Sequence, residues 1–142
     1  MRRILAAGVD GIALFGTTGE GQSLSLKERR AGLDALLAAG IAPSRIIAAT
    51  GCASLPETVE LTRHAVQATL RRRALVLPPF FFKAVTDEGV FASYARVIDG
   101  VGDRAAAALS VSHSSGTRRC HFLIGHRASR HRLSRDSGGR EG

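Results

Sequence analysis

The amino-acid sequence predicts an α/β fold built on a parallel sheet. Three short runs of apolar and β-branched residues, at 9–15, 45–50 and 74–77, have the length of buried strands. Each run is followed by a turn rich in Gly or Pro, and then by a segment with helical apolar spacing and a capping residue at its start. Strands that are almost continuously apolar are covered on both faces, which is typical of parallel sheets with helical crossovers.

The first predicted helix spans residues 26–39 and has the clearest boundaries. Ser25 and Glu28 stand at the spacing of a capping box, leucines recur along the segment at helical spacing, and Gly40 supplies the stop. The charged turn at residues 27–30 is interpreted as a solvated face of this helix.

Two further helices begin with similar signals. Ser54 offers a cap, followed by Pro56 and by a glutamate three residues after the serine, which predicts a helix to about residue 68. Thr86 caps a third helix whose first turn carries two acids. These three strand-helix units leave a doubly wound sheet and an incomplete (β/α)₈ barrel both open, since a full barrel needs about 250 residues.

Charge divides the chain into two parts. Residues 1–103 hold 12 Lys and Arg against 10 Asp and Glu, whereas residues 104–142 hold 8 Arg against 2 acids, so most of the net charge of +8 lies in the second part. No period of 2 or 3.6 persists after residue 103, which predicts an irregular, disordered basic tail at 104–142.

Membrane and secreted classes are not expected. No apolar run approaches the roughly 20 residues of a membrane-spanning helix, and two distant cysteines favour a reducing cytoplasm over a disulfide framework. No metal is expected either, because the tail residues that could bind zinc match no common structural site in their spacing. Those residues are Cys120, His121, His126 and His131.

The residues with the best chemistry lie in the turn after the first predicted strand, residues 16–21 (GTTGEG). Its glycines let backbone N–H groups approach a ligand, and the hydroxyls of Thr17 and Thr18 suit a small carboxylate or phosphate. Ligands of α/β folds bind at the carboxyl ends of the strands, where this turn falls. A tight turn that merely leads into a helix cap has the same composition, so composition alone leaves both interpretations open.

Three blocks of the sequence resemble the dihydrodipicolinate synthase and N-acetylneuraminate lyase family, the class I pyruvate-dependent aldolases. They are GVDGIALFGTTGEGQSLSLKER, RIIAATG and LVLPPFFFKAVTDEG, in the family's order and at about its spacing, within residues 5–103. The resemblance implies a partial TIM barrel at residues 1–103 and a homo-oligomeric lyase that needs no cofactor. It also implies a Schiff base between a lysine and a small 2-oxo acid such as pyruvate, whose carboxylate Thr17 and Thr18 bind.

The chain departs from the family in three ways. Met1 aligns inside the family's first helix, which predicts a truncated amino end. Residues 80–82 (FFF) stand where the synthases have a tyrosine that helps relay protons, which favours another keto-acid lyase. The only lysines are Lys27 and Lys83, and neither matches the family's lysine on a later strand. No catalytic residue is therefore assigned, and the chain is expected to be inactive.

Back-translation offers an explanation of the tail. Read one base later, residues 108–115 permit L-Y-L-Y-H-I-P-Q, and residues 131–142 permit a segment that ends in a lysine. Both resemble the strands that carry the family's catalytic tyrosine and lysine. We therefore expect a change of reading frame between about residues 103 and 109, so that residues 104–142 are an out-of-frame translation.

The competing interpretation is an α/β anion-binding module with a basic tail that binds nucleic acid. The tail contains one Phe and neither Tyr nor Trp, and it matches no recognised nucleic-acid-binding motif. Nucleic acid is therefore the less expected partner.

Overall fold

The computed structural model describes residues 1–70, 73–102, 107–111 and 120–124. The strands are β1 Ile12–Leu14, β2 Ile46–Ala49, β3 Arg73–Leu75, β4 Ala107–Val111 and β5 Cys120–Ile124. The α-helices are α1 Arg2–Ala6, α2 Leu26–Ala38, α3 Leu55–Thr69 and α4 Asp87–Val101. Short 3₁₀ turns span Thr17–Gly19, Gly21–Ser23 and Pro43–Arg45.

The strands form one sheet in the order β1-β2-β3-β4-β5. The first four strands are parallel, with Ile12 opposite Ile46, Ala48 opposite Ala74, and Ala74 opposite Ala108. Strand β5 runs antiparallel to β4. The three strand-helix units predicted from the sequence are confirmed, and the strands begin and end within three residues of the predicted limits.

Helices α2, α3 and α4 cover one face of the sheet and pack side by side, α2 on α3 and α3 on α4. The apolar core lies between these helices and the sheet, where apolar burial supplies most of the stabilisation. It comprises Leu14, Leu33, Ile46, Ala48 and Ala65, with a second cluster of Ala74, Val76 and Tyr94. A doubly wound sheet carries helices on both faces, whereas consecutive helices on one face are the arrangement of a (β/α)₈ barrel. The fold is therefore α/β and matches part of that barrel.

The opposite face of the sheet is the one that points to the interior in a barrel. Ala13 on this face is exposed, and its partner Ile47 is only half-buried. Among the described residues, no second layer covers this part of the sheet, as expected for three or four units of an eight-unit barrel.

The caps of two helices follow the sequence prediction, and the third does not. Glu28 N donates to Ser25 Oγ at 3.3 Å while Ser25 N donates to Glu28 Oε2 at 2.9 Å, so the capping box is confirmed. The Thr86 hydroxyl accepts a backbone N–H at 3.1 Å. The side-chain cap predicted at Ser54 is wrong, because the Ser54 side chain makes no capping hydrogen bond. The Ser54 carbonyl oxygen accepts the Thr58 N–H at 3.1 Å and the Thr58 hydroxyl at 3.0 Å.

Strands β4 and β5 lie within the segment 104–142, for which the sequence predicts no regular element. Helix α4 ends at Val101 and is followed by the C-cap residue Gly102, which has a φ of 80°; β4 then pairs with β3 as a fourth parallel strand. The β4 sequence (AALSV) is rich in alanine, a weak strand former, and shows no clear alternation. The backbone pairing with β3 therefore stabilises a strand that the local propensity of the segment does not favour. The other residues of this segment lie outside those that the structure describes.

Candidate functional site

The candidate site lies at the carboxyl edge of the parallel strands. Loops 15–25, 50–54 and 76–86 follow β1, β2 and β3 and meet at this edge, because parallel strands end on the same side of a sheet. The first of these loops contains residues 16–21, which the sequence singles out.

The backbone of residues 16–21 is held in a tight double turn. The Gly16 carbonyl accepts the Gly19 N–H at 3.0 Å and the Gly21 N–H at 3.3 Å. Glu20 adopts the left-handed conformation with a φ of 50°. A Cβ atom at position 21 would lie 2.0 Å from the carbonyl oxygen of Phe15, so only glycine fits there. The turn thus has a defined shape before any ligand binds.

Thr17 and Thr18 are both exposed on the first turn of this loop. Among the described residues, none makes a hydrogen bond with either hydroxyl. The two side chains are therefore available as adjacent donors to a ligand at the carboxyl edge of the sheet. The sequence predicted this pair, and the structure places both residues at the end of β1; their role as ligands remains a proposal.

A buried arginine fastens the neighbouring loop. Arg29 on α2 is 3% exposed and donates to the Ala49 carbonyl at 2.5 Å and to the Gly51 carbonyl at 3.3 Å. Gln22, directly after the double turn, donates to the same Gly51 carbonyl at 2.7 Å. Gly51 is itself enclosed, since a Cβ there would lie 2.9 Å from Leu77 N. The loops after β1 and β2 are therefore joined through one carbonyl oxygen.

The interpretation of residues 27–30 as a solvated face is wrong for Arg29. A signal for this was present, because positions 26, 29 and 33 lie on one side of a helix and two of them are leucines. The arginine occupies the apolar stripe because the carbonyl groups that end β2 need donors at that point. Its Nε atom is buried, and no described residue accepts a hydrogen bond from it.

Cys52 lies beside the arginine but is a poor nucleophile. Arg29 Nη1 lies 3.2 Å from Cys52 Sγ, and the Cys52 N–H donates to Thr58 Oγ1 at 2.9 Å. Burial raises the pKa of the Cys52 thiol above its ordinary value, although the adjacent guanidinium acts in the opposite direction. The neutral thiol therefore predominates near neutral pH, and it does not attack carbonyl groups.

The two lysines and the one tyrosine do not form a catalytic group at this edge. Lys27 and Lys83 are both exposed, whereas a lysine nucleophile is normally kept in a desolvated pocket. Tyr94 is 2% exposed on α4 and donates to the Val76 carbonyl at 3.3 Å, so it packs the helix against the end of β3.

The side chains at residues 80–82 are exposed, and the rings of Phe81 and Phe82 meet edge to face with centroids 5.9 Å apart. They carry no hydroxyl that could relay a proton.

Within the described part of the chain, no three His, Cys, Asp or Glu side chains converge on a common point. The four tail residues with zinc-binding side chains named above lie outside the side chains that the structure describes. No helix in the described ranges combines the length and the apolarity needed to cross a membrane.

Together the fold and the loop define a class. A parallel sheet with helices stacked on one face is the arrangement of part of a (β/α)₈ barrel, and here the hydroxyl-bearing glycine turn after β1 lies at the carboxyl edge of that sheet. The dihydrodipicolinate synthetase family model matches residues 1–113, and the chain belongs to that family. The resemblance seen in the sequence is confirmed.

Individual relatives agree with this assignment. An uncharacterized DapA-like lyase from Chloroflexus aurantiacus is 36% identical over 101 residues, which cover 71% of this chain and 33% of that protein. The crystal structure of dihydrodipicolinate synthase from Agrobacterium tumefaciens matches with a TM-score of 0.73 at 41% identity, covering 78% of this chain and 38% of that one. A prophage protein of the dihydrodipicolinic acid synthase family from E. coli, in complex with pyruvate, matches with a TM-score of 0.60 at 29% identity, covering 70% and 33%.

The chain spans 31–34% of the length of the curated relatives it matches. The shared part comprises strand-helix units of the barrel. The relatives include lyases, and the class of enzyme to which this chain is related is therefore a lyase of the aldolase type.

Proposed function

We propose that residues 1–103 are part of a Schiff-base-forming aldolase that acts on pyruvate or another small 2-oxo acid. In this proposal, Thr17 and Thr18 bind the carboxylate of the keto acid. The observation that carries it is the pair of exposed threonine hydroxyls, free of hydrogen bonds to described residues, on the rigid turn at the carboxyl end of β1. The pyruvate complex of the E. coli relative supports the choice of ligand.

The chemistry of the turn suits a carboxylate. Two hydroxyl donors on adjacent residues can reach the two oxygens of one carboxylate, and hydrogen bonds to a charged acceptor are the stronger kind. The hydrogen bonds of Gln22 and Arg29 to Gly51 hold the adjacent loops, so little conformational freedom is lost when the anion binds. Binding alone does not cleave a carbon-carbon bond.

The covalent step of an aldolase requires a lysine that these 142 residues do not offer. A Schiff base forms when a neutral amine attacks the keto carbon and water leaves, and enzymes keep that amine neutral by desolvation. Lys27 and Lys83 are exposed on α2 and in the loop after β3. We therefore propose that this chain binds the keto acid without converting it.

A change of reading frame between about residues 103 and 109 explains where the lysine is encoded. In support, the charge balance changes abruptly after residue 103. The parent enzyme of this proposal is a cytoplasmic homo-oligomer that uses neither metal nor cofactor. The phenylalanines at residues 80–82 favour a keto-acid lyase other than a dihydrodipicolinate synthase.

Pyruvate titration of the 142-residue chain tests the binding role. We expect the backbone amide resonances of Thr17, Thr18 and Gly19 to shift in NMR spectra, with saturation at millimolar pyruvate. The variants Thr17→Val and Thr18→Val keep the shape of the side chain and remove the hydroxyl, so each should weaken the response. Ser23→Ala, on the second 3₁₀ turn, is the matched control. Equal responses in all three variants would contradict the carboxylate role.

Borohydride trapping tests the covalent role. A protein made from the frame-restored gene should gain the mass of one reduced pyruvate after treatment with pyruvate and borohydride, whereas the 142-residue chain should not. An adduct on Lys27 or Lys83 of the present chain would overturn the proposal that it lacks the nucleophile.

A further inference from the structure

A cleft of about 540 Å³ lies between α3, α4 and the loop after β3. Its floor is formed by buried side chains, among them Thr58, Val76 and Val97, which are 2–3% exposed. Its rim is formed by residues 77–85 of the loop after β3 and by exposed positions of α4. The volume falls within the range of small-molecule sites, which is about 300–1,000 Å³.

The loop after β3 creates the cleft by turning away from the helices. The side chains at residues 80–82 are 47–73% exposed, and Ala84 adopts a left-handed conformation with a φ of 54°. Gly89 has no side chain at the start of α4, where a Cβ atom would lie only 3.2 Å from Val85 Cγ1. The large aromatic side chains of the loop therefore do not fill the space above the floor, and of the three only Phe82 lines the cleft.

Among the described residues, the charged side chains that line the cleft are both cationic. Lys83 and Arg96 line it, and none of the described residues that line it is acidic. Neither cation forms an ion pair with a described residue. The remaining lining is mainly apolar, with the Ser93 hydroxyl beside Arg96 on α4. Two unpaired cations above an apolar floor match a ligand with an anionic head and an apolar body.

We propose that this cleft binds a small amphipathic carboxylate. The carboxylate interacts with Lys83 and Arg96, and the apolar part lies against Val76 and Val97. Neither Thr17 nor Thr18 lines the cleft, so this second anion site is separate from the loop at residues 16–21 that is proposed to bind the keto acid. It therefore does not depend on the proposed aldolase function.

The two cations favour a ligand with an anionic group, and the apolar floor favours a ligand with an apolar body. Both cationic side chains are exposed, so solvent screens them, and each should contribute roughly a threefold gain in affinity. Phenylpropanoate is a suitable probe, because it carries one carboxylate on a short aromatic body. Phenylpropanol has the same body without the charge, and acetate has the charge without the body.

The test is a titration of the 142-residue chain with these three probes, followed by amide NMR shifts. Phenylpropanoate should shift the resonances of Ser93, Arg96 and Val97, and it should bind about tenfold more tightly than phenylpropanol. Acetate should bind too weakly to saturate. The Thr17 and Thr18 resonances should respond to pyruvate and not to phenylpropanoate, which distinguishes failure at one site from failure at the other.

Three variants and a control complete the experiment. Lys83→Gln and Arg96→Gln should each weaken phenylpropanoate binding by about threefold, because each removes one exposed cation. Ala92→Leu fills the cleft on an exposed helical position and should abolish binding without a change of charge. Lys27→Gln removes a cation from α2 outside the cleft and should leave the affinity unchanged.

Circular dichroism and the dispersion of the amide spectrum verify that each variant is folded. Equal affinities for phenylpropanoate and phenylpropanol would overturn the proposal, as would equal effects of Lys27→Gln and Lys83→Gln. Retention of binding in folded Ala92→Leu would show that the probe binds elsewhere, and would overturn it as well.

Discussion

Replacement of Arg29 by methionine tests whether the buried guanidinium stabilises the carboxyl edge of the sheet. Methionine keeps an unbranched side chain of similar length and good helix propensity, so the change removes mainly the hydrogen bonds. Arg29 donates to the Ala49 and Gly51 carbonyls. The Gly51 carbonyl keeps Gln22 as a donor at 2.7 Å, so the main loss falls on Ala49.

The expected loss in the free energy of unfolding follows from the Ala49 carbonyl losing its donor. A buried carbonyl that loses its donor costs about 1–3 kcal/mol, and the lost bond is charge-assisted. Burial of a guanidinium with an unpartnered Nε has a desolvation cost of its own, which offsets part of this loss when the charge is removed. We expect Arg29→Met to lower the free energy of unfolding by about 2 kcal/mol.

Arg30→Met is the matched control, one residue further along the same helix. Arg30 forms an exposed ion pair with Glu60 at 2.9 Å, so its replacement should cost only about 0.5 kcal/mol. Urea unfolding followed by circular dichroism at neutral pH measures both values. A loss in Arg29→Met no larger than that in Arg30→Met would refute the role assigned to the buried arginine.

Three further predictions concern the loop, a helix cap and the thiol. Gly21→Ala places a methyl group against the Phe15 carbonyl, so it should destabilise the fold by about 2–3 kcal/mol and abolish the pyruvate response. Gly19→Ala has open space at its Cβ and should do neither. Unfolding curves and pyruvate titrations of the two variants measure both effects. Thr86→Ala removes a side-chain cap and should cost about 1 kcal/mol in urea unfolding, and an unchanged midpoint would contradict it. Burial raises the pKa of the Cys52 thiol, so the stability contributed by its neutral form is present below the unfolded thiol's pKa and is lost as the pH rises through the folded value. Peptide-resolved alkylation should therefore show Cys52 reacting more slowly in the folded chain than in urea at mildly alkaline pH; equal rates would contradict the shift.

The parts of the fold that the sequence predicts well are those with local causes. The capping box of Ser25 and Glu28 depends on residues three positions apart, and Thr86 caps its own helix. Strand β4 was not predicted because its sequence is a poor strand former and its pairing with β3 is a tertiary contact. Pairing with a neighbouring strand can therefore form a strand in a segment whose own strand propensity is weak.

In the candidate site, too, local features could be predicted from the sequence and features that depend on tertiary contacts could not. The position of Thr17 and Thr18 at the end of a strand could be predicted because a glycine-rich turn follows an apolar run directly, whereas their binding role was implied by the family resemblance and stays a prediction. The buried position of Arg29 depends on the end of β2, about twenty residues away in the chain, so residue type alone suggested solvent. The cleft could not be predicted at all, because it forms between two helices and a loop whose aromatic side chains turn outward.

We infer that the chain is a fragment of a pyruvate aldolase that continues in another reading frame. Resequencing of the gene from upstream of Met1 to beyond the stop codon tests this most directly. We predict that the shifted frame stays open through the tyrosine-bearing and lysine-bearing strands of the family. Stop codons in that frame would contradict the claim and would make residues 104–142 a genuine part of the protein.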